Sequence, residues 1–282
     1  MEVFSLTREY SMDVVTSYLY GIEKGTNWIG HPAEASYHLS AFLDALEPWA
    51  FFASTEIQRL VSVFSWFGVN LISPSVNTAF DTIHSFVLDL TTRAVSPLLI
   101  DHVGGNGSTG MIGQVWQRLD NIPEEPRTRL IASDIVDQIH AGHEATGTVL
   151  TYLMWELSRN PAIQDRLHID LISLSNPRSS DLLDAVLMET IRLYPAGFGP
   201  FPRVAPANAS VKGFPIPIGT IASASPYTLG RNCKVFPDPD LWLPERWLKA
   251  SPEEKRQMRQ LVWMFMSGQR ICIGEHLAIL GK

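Results

Sequence analysis

Apolar side chains recur along this chain mainly with the period of an α-helix. Residues 7–22, 77–95 and 126–159 each carry apolar positions at helical spacing, and the second and third segments end before Pro97 and Pro161. The longest of them would span about 50 Å at the α-helical rise of 1.5 Å per residue. This pattern predicts a chain built mainly from long helices.

A smaller share of the chain has the pattern of strands and turns. Residues 181–194 predict one more amphipathic helix, with Asp181 as its N-cap. The segment 196–203 then predicts an extended strand, and 211–220 predicts a hairpin punctuated by glycine and proline. A proline-rich irregular segment covers 231–250. The predicted fold class is therefore mainly α with a small β component.

One segment, 38–73, is unusually rich in aromatic residues. One interpretation is the buried face of one or two helices. The other is the roof of an apolar ligand pocket, or a patch that dips into a membrane. Both interpretations stay open, and they concern Phe42, Trp49, Phe51, Phe52, Phe64, Trp66 and Phe67.

Composition excludes several classes of function. A net charge of −7 without any basic run argues against a nucleic-acid surface. Two cysteines make no disulfide framework, and the glycine-rich loop 104–110 lacks the Gly-Lys-Ser/Thr ending of a phosphate cradle. The first nine residues are neither a signal peptide nor an anchor, and no apolar run approaches the roughly 20 residues of a spanning helix.

The most specific chemistry lies in the ten residues 265–274, Phe-Met-Ser-Gly-Gln-Arg-Ile-Cys-Ile-Gly. Gly268 and Gly274 let the backbone bend and pass close to a flat ring, because they lack a Cβ. Arg270 suits a carboxylate on that ring, and Phe265 can shield the Cys272 sulfur from water. The alternative is a buried apolar cysteine in a glycine-rich turn.

This spacing, Phe-x-x-Gly-x-Arg-x-Cys-x-Gly, resembles the haem-binding loop of the cytochrome P-450 family, the haem-thiolate monooxygenases. The resemblance implies that Cys272 is the axial thiolate ligand of a haem iron and therefore its metal ligand. It also implies dioxygen and an apolar small molecule as substrates. Electrons would come indirectly from NADPH through a flavoprotein reductase.

The middle of the longest predicted helix carries two glycines, Gly142 and Gly147. Each costs about 1 kcal/mol against alanine in a helix interior, so something must approach the backbone there. Spacing alone leaves a packed helix and a ligand equally open. The nearby His140 and His143 lack a carboxylate at a metal-binding spacing, and we interpret them as helix-surface residues.

The segment 141–147 is similar to the family's oxygen-binding helix, Ala/Gly-Gly-x-Asp/Glu-Thr-Thr. The resemblance implies that Gly142, Ala145 and Thr146 face dioxygen and that Glu144 relays protons. Ala145 stands where the family has its first threonine. Either Thr146 or an ordered water takes over that role, or the chemistry is not ordinary hydroxylation.

Three charged residues occur along the chain in the order in which the family places the residues that support its haem site. Glu189 and Arg192 are three residues apart and share a helix face, and Arg246 follows in a Pro-Glu-Arg-Trp loop. The resemblance implies that these three form a buried triad that locks the loop of Cys272. It also implies that Arg203, at the end of the predicted strand, meets a haem propionate.

Members of the family are usually longer than 282 residues. We therefore expect an incomplete cytochrome P-450 fold, with residues 1–282 as a single partial catalytic domain. The leading hypothesis is a monooxygenase, similar in style to those of fungal secondary metabolism. The alternatives are a truncated, catalytically incompetent remnant and a haem-thiolate isomerase or dehydratase. The resemblance implies the endoplasmic reticulum membrane for a full-length member, whereas this chain without an anchor would be cytoplasmic.

Overall fold

The computed structural model describes residues 2–100, 110–197 and 199–280, and of residues 97–100 only the backbone. The described residues form two compact units, 1–147 and 148–282. The helices are α1 (Val3–Tyr20), α2 (Pro32–Ala45), α3 (Pro48–Thr55), α4 (Gln58–Trp66), α5 (Pro74–Ile100), α6 (Gly110–Arg118), α7 (Glu124–Arg159), α8 (Pro161–Ser173), α9 (Asp181–Leu193), α10 (Pro226–Leu229), α11 (Glu245–Lys249), α12 (Pro252–Leu261) and α13 (Glu275–Leu280). The strands are β1 (Phe201–Val204), β2 (Ser210–Val211), β3 (Phe214–Pro215) and β4 (Ile221–Ala224). The predicted fold class, mainly α with a small β component, is confirmed.

The first unit packs α1, α2, α5, α6 and the first part of α7 around one apolar core. Its centre includes Met12, Phe42, Leu90, Ile112 and Ile139, all almost fully buried. Burial of such side chains is the main favourable term for these helices. The core therefore fixes α1 against α7 within this unit.

Two predictions, for helices α5 and α1, need correction. The predicted end of α5 before Pro97 is wrong, because the helix continues to Ile100. A proline removes one amide donor from a helix, and the buried apolar turns just before it keep the chain helical. The predicted apolar face of α1 is also partly wrong, because Tyr10 and Tyr18 are exposed whereas Arg8 is buried.

The aromatic segment forms α3 and α4 and the end of α2. Among its aromatic residues Phe42 is buried, as the buried-face interpretation requires. That interpretation is wrong for the others, and Trp66 is 81% exposed. The exposed aromatic residues are Trp49, Phe51, Phe52, Phe64, Trp66 and Phe67.

The second unit contains the rest of α7, helices α8 to α13 and two small antiparallel sheets. Strand β1 pairs with β4, which places Arg203 opposite Ala222. Strand β2 pairs with β3 through a turn at Gly213, within the predicted hairpin region. The predicted N-cap of α9 is wrong by one residue. The N-cap is Ser180, whose side-chain oxygen accepts a hydrogen bond from the Leu183 amide at 2.9 Å.

Within the described ranges, no helix is both long enough and apolar enough to cross a bilayer. The predicted glycine-rich loop lies outside the described residues except for Gly110, which begins α6.

Candidate active site

The segment around Cys272 forms a closed loop in the second unit. The Cys272 amide donates to the Phe265 carbonyl at 2.8 Å, so the two ends of the loop meet. Between them, Met266 and Gly268 adopt left-handed backbone conformations with φ of 59° and 70°. Gly268 takes this conformation without strain, whereas a methionine does so at a cost, a feature that is common at functional sites. The loop ends at Gly274, directly before α13.

Two arginines lie at this loop. Arg203 in β1 donates to the Met266 sulfur at 3.6 Å and to the Pro202 carbonyl at 2.7 Å. Arg270 ends the short 3₁₀ turn that begins at Gly268. Both guanidinium groups are exposed, and among the described residues neither has a carboxylate partner. They therefore remain available for an anionic ligand.

The residues present fit a haem. Cys272 is a free, exposed thiol rather than the buried apolar cysteine of the alternative interpretation. Among the described atoms, none comes within 4 Å of a Cβ built on Gly268, so the loop is open on that side. Ile273, the residue after Cys272, is 88% exposed and offers an apolar surface. A thiol, an apolar surface and two arginines without a carboxylate partner among the described residues match an iron, a flat ring and two propionates.

A buried cluster of charges lies in the same unit, around Glu189. Its carboxylate accepts bonds from Arg192 Nε at 2.9 Å and Nη2 at 2.7 Å, and from Arg246 Nε at 3.0 Å. Glu189 and Arg192 side chains are fully buried, and Arg246 is largely so. Trp247 Nε1 and the Leu243 amide donate to the same carboxylate, each at 2.9 Å. These two donors were missed from the sequence, although Trp247 follows the Pro-Glu-Arg motif directly.

Arg192 also ties α9 to the irregular segment that follows the sheets. Its guanidinium donates to the carbonyls of Gly230 at 2.7 Å, Pro239 at 2.6 Å and Leu241 at 2.9 Å. Carbonyls of an irregular segment have no secondary-structure partner, so a buried arginine satisfies them. The cluster therefore organises the segment 230–247 as well as balancing charge.

The acidic centre of α7 belongs to the first unit and contacts α1. Glu144 pairs with Arg8, a buried arginine that sequence reasoning missed because nothing in its spacing marks it. A Cβ at Gly142 would meet Val15 at 2.8 Å, and one at Gly147 would meet Arg8 at 2.8 Å. Close packing of α1, one of the two open alternatives, therefore accounts for both glycines. The assignment of Gly142 to the dioxygen side stays a prediction.

The interpretation of both histidines as surface residues is wrong for His143, which is fully buried. Its Nδ1 bonds the Ile139 carbonyl at 2.9 Å, and burial lowers its pKa to about 3. His140 is half-buried, and burial also lowers its pKa. Both rings contact Phe42 of α2. Within the described residues, no set of three His, Cys, Asp or Glu side chains is arranged to hold a metal ion.

Helical geometry separates the candidate residues of α7 by face. At about 100° per residue, His143 and Gly147 share one face, and Ala145 lies on the other, about 160° from both. Gly142 lies about 60° and Thr146 about 100° from Ala145. Thr146 therefore cannot occupy the place of a hydroxyl at position 145 without a change in the helix. Glu144 lies between the two faces, with its side chain 27% exposed.

Comparison with known proteins places this chain in a family. A family model described as cytochrome P450 matches residues 1–281. Cytochrome P450 monooxygenase mfmA of Annulohypoxylon moriforme is 34% identical over 178 residues, which cover 59% of this chain and 34% of that protein. Cytochrome P450 3A12 of Canis lupus familiaris is 28% identical over 285 residues, covering 96% of this chain and 54% of that protein.

A further fungal relative, cytochrome P450 monooxygenase esdpH of Penicillium shearii, is 34% identical over 157 residues, covering 50% of this chain and 31% of that protein. The matches thus span between 31% and 54% of the length of these curated relatives. The family match itself extends over almost all of the present chain. The chain belongs to the cytochrome P450 family.

Proposed function

We propose that this chain provides the catalytic part of a haem-dependent monooxygenase that acts on an apolar small molecule. The observation that carries the proposal is the exposed Cys272 thiol in its closed loop, next to two arginines that face no carboxylate among the described residues. The fungal relatives named as monooxygenases support a role in secondary metabolism.

Each residue of the loop has a role in holding the cofactor under this proposal. Cys272 would ligate the iron as a thiolate, and Arg203 and Arg270 would bind the propionates. Phe265 would keep water from the sulfur, while Gly268 and Gly274 would leave room for the ring. When bound, the haem supplies the dioxygen chemistry, and a thiolate ligand favours O–O cleavage.

Support for the loop would come from the cluster of Glu189, Arg192 and Arg246. Because Arg192 holds three carbonyls of the segment 230–241, the cluster fixes the chain that leads to the loop. Its role in the proposal is structural and involves no proton transfer. On α7, Glu144 would handle protons, and Gly142, Ala145 and Thr146 would line the dioxygen side.

The Cys272 thiolate can be tested with a matched control, because the chain has a second exposed cysteine, Cys233. The full chain is reconstituted with haem, and the reduced carbon-monoxide difference spectrum is recorded for wild type, Cys272→Ser and Cys233→Ser. The thiolate band is expected in wild type and Cys233→Ser and is lost in Cys272→Ser. A chain without any band contradicts the proposal and is the outcome expected of a catalytically incompetent remnant.

A haem-thiolate isomerase or dehydratase is the second candidate function. The observations that favour it are the missing hydroxyl at Ala145 and the ion pair that holds Glu144 on Arg8. An isomerase or dehydratase needs no proton relay to dioxygen. Product formation that persists without oxygen supports this candidate, whereas strict oxygen dependence supports the monooxygenase. In the monooxygenase, Ala145→Thr should raise the share of electrons that reach product.

The partners and location follow from the same proposal. An NADPH-dependent flavoprotein reductase would supply the electrons, and its omission should abolish NADPH-driven turnover. The exposed aromatic residues of α3 and α4 would bring the protein to the endoplasmic reticulum membrane, because such residues favour the interface of a bilayer. Sedimentation with lipid vesicles should therefore weaken when Trp66 and Phe67 are replaced by serine.

A further inference from the structure

The side chain of Arg8 is built into the contact between α1 and α7. It is 1% exposed, and its aliphatic part lies against Gly147, where any Cβ would come within 2.8 Å of Arg8 Cγ. The Phe4 ring covers the guanidinium at 5.2 Å. A buried guanidinium is costly unless it is paired, so the surroundings of Arg8 must contain a counter-charge.

Glu144 is that counter-charge. Arg8 Nη2 donates to Glu144 Oε2 and also faces His143 Nε2 at 3.4 Å, whereas Arg8 Nε finds no acceptor among the described atoms. Within the described residues, Glu144 is the carboxylate that forms an ion pair with Arg8. Removal of Glu144 would therefore leave a buried cation without compensation.

His143 adds no charge to this cluster. Its Nδ1 lies 2.9 Å from the Ile139 carbonyl and must donate to it, because a carbonyl only accepts. In the neutral ring Nε2 is then an acceptor, and it faces the Arg8 donor. Burial lowers the His143 pKa to about 3, which agrees with a neutral ring. The cluster thus contains one positive and one negative charge.

We infer that Arg8 is a positioning residue for Glu144, whose carboxylate it holds turned towards α1. The inference rests on the proposed function only for the role of Glu144 in handling protons. Held on Arg8, the Glu144 carboxylate has a fixed position from which its oxygens accept hydrogen bonds. The charged or titratable groups recorded around it are Arg8 from α1 and His140 and His143 from α7, while α2 presents the Phe42 ring.

Thermal unfolding of the full chain tests the ion pair without haem. Glu144→Gln should lower the melting temperature by about 5–10 °C, because it strands the Arg8 charge. Adding Arg8→Met to that variant should restore most of the loss. Asp89→Asn and Arg93→Met, in an exposed pair of α5, are the matched control and should change the melting temperature little.

Several outcomes would overturn the ion-pair part of the inference. A Glu144→Gln chain that melts like wild type would do so, as would a double variant less stable than Glu144→Gln. If Glu144→Gln does not fold, recovery of folded protein in the double variant supports the inference, and failure to recover contradicts it.

The positioning role is tested by the kinetic constants of the haem-loaded chain. In Arg8→Met, kcat should fall by about tenfold while KM stays nearly unchanged, since Glu144 loses the partner that fixes its position. Arg8→Lys keeps the charge and should recover part of that loss. Equal kcat values in wild type and Arg8→Met would overturn the positioning role while the monooxygenase proposal stands. Absence of haem binding would instead refute the proposed function and leave the melting experiment valid.

Discussion

The buried carboxylate of Glu189 should be the most sensitive single position for the stability of the second unit. Glu189→Gln keeps the shape of the side chain but removes the negative charge that faces Arg192 and Arg246. Breaking a buried ion pair at one partner typically costs about 3–5 kcal/mol, because the other charge stays buried without compensation. Here two arginines lose the same partner, so we expect the upper part of that range.

The amide of glutamine would also change the hydrogen bonds that the Glu189 carboxylate accepts. A glutamine amide has only one acceptor oxygen, and its NH₂ group would point a donor at the donors that Glu189 now accepts, such as Trp247 Nε1. A loss of this size compares with a total stability of about 5–15 kcal/mol for a typical protein. The variant should therefore be marginally folded at best.

Urea denaturation followed by circular dichroism measures this loss. The matched control is Glu253→Gln, in an exposed pair with Arg256, and it should leave the midpoint nearly unchanged. Arg192→Lys should fall between wild type and Glu189→Gln, since lysine keeps the charge but cannot reach the three carbonyls together. If Glu189→Gln unfolds within about 1 kcal/mol of wild type, the assumption of two uncompensated arginines is refuted.

Three further predictions concern single positions. Burial lowers the His143 pKa from its ordinary 6.5 to about 3. As the pH drops from 6.5 towards 3, the unfolded chain therefore binds a proton at this histidine and the folded chain does not, so the free energy of unfolding falls. His143→Gln should flatten that pH dependence in denaturation curves, and an unchanged slope would contradict the buried neutral ring. Gly147→Ala should lower the unfolding free energy by about 1–3 kcal/mol, because the added Cβ would clash with Arg8. This loss should exceed the gain from the better helix propensity of alanine, and an unchanged melting temperature would rule out the close contact. Ser180→Ala should cost about 1 kcal/mol in the same assay and Asp181→Ala clearly less, and the opposite order would restore Asp181 as the N-cap.

The parts of the site that were predictable from the sequence are those in which neighbours along the chain are also neighbours in space. The loop of Cys272 closes on itself within eight residues, from Phe265 to Cys272, so its spacing reflects its geometry directly. The pair Glu189 and Arg192 lies one helical turn apart, and helical spacing puts both on one face. The mainly α fold was predictable because long amphipathic segments leave a strong periodic signal.

The missed features depend on contacts between distant segments. Arg8 and Glu144 are far apart in the sequence, and nothing local marks a buried arginine in an amphipathic helix. The buried face of α1 was likewise obscured, because Ser11 and Thr16 satisfy their hydroxyls on carbonyls one turn back and can be buried like apolar residues. Aromatic composition alone could not separate a buried helix face from the exposed surface of α3 and α4, because both use the same residue types.

The arrangement of α7 decides how an experiment at position 145 can be interpreted. Gly142, His143 and Gly147 pack against α1, and Ala145 lies about 160° round the helix from His143 and Gly147 and about 60° from Gly142. A threonine at 145 would therefore keep clear of the contacts of His143 and Gly147, and its stability cost should be limited to the difference in helix propensity, about 0.7 kcal/mol or less. Because Ala145 lies away from the contacts of His143 and Gly147, a change in oxygen chemistry upon Ala145→Thr reports on the missing hydroxyl itself. An equal effect of Ala145→Thr and Ala145→Val on turnover would show instead that the added volume, rather than the hydroxyl, is responsible.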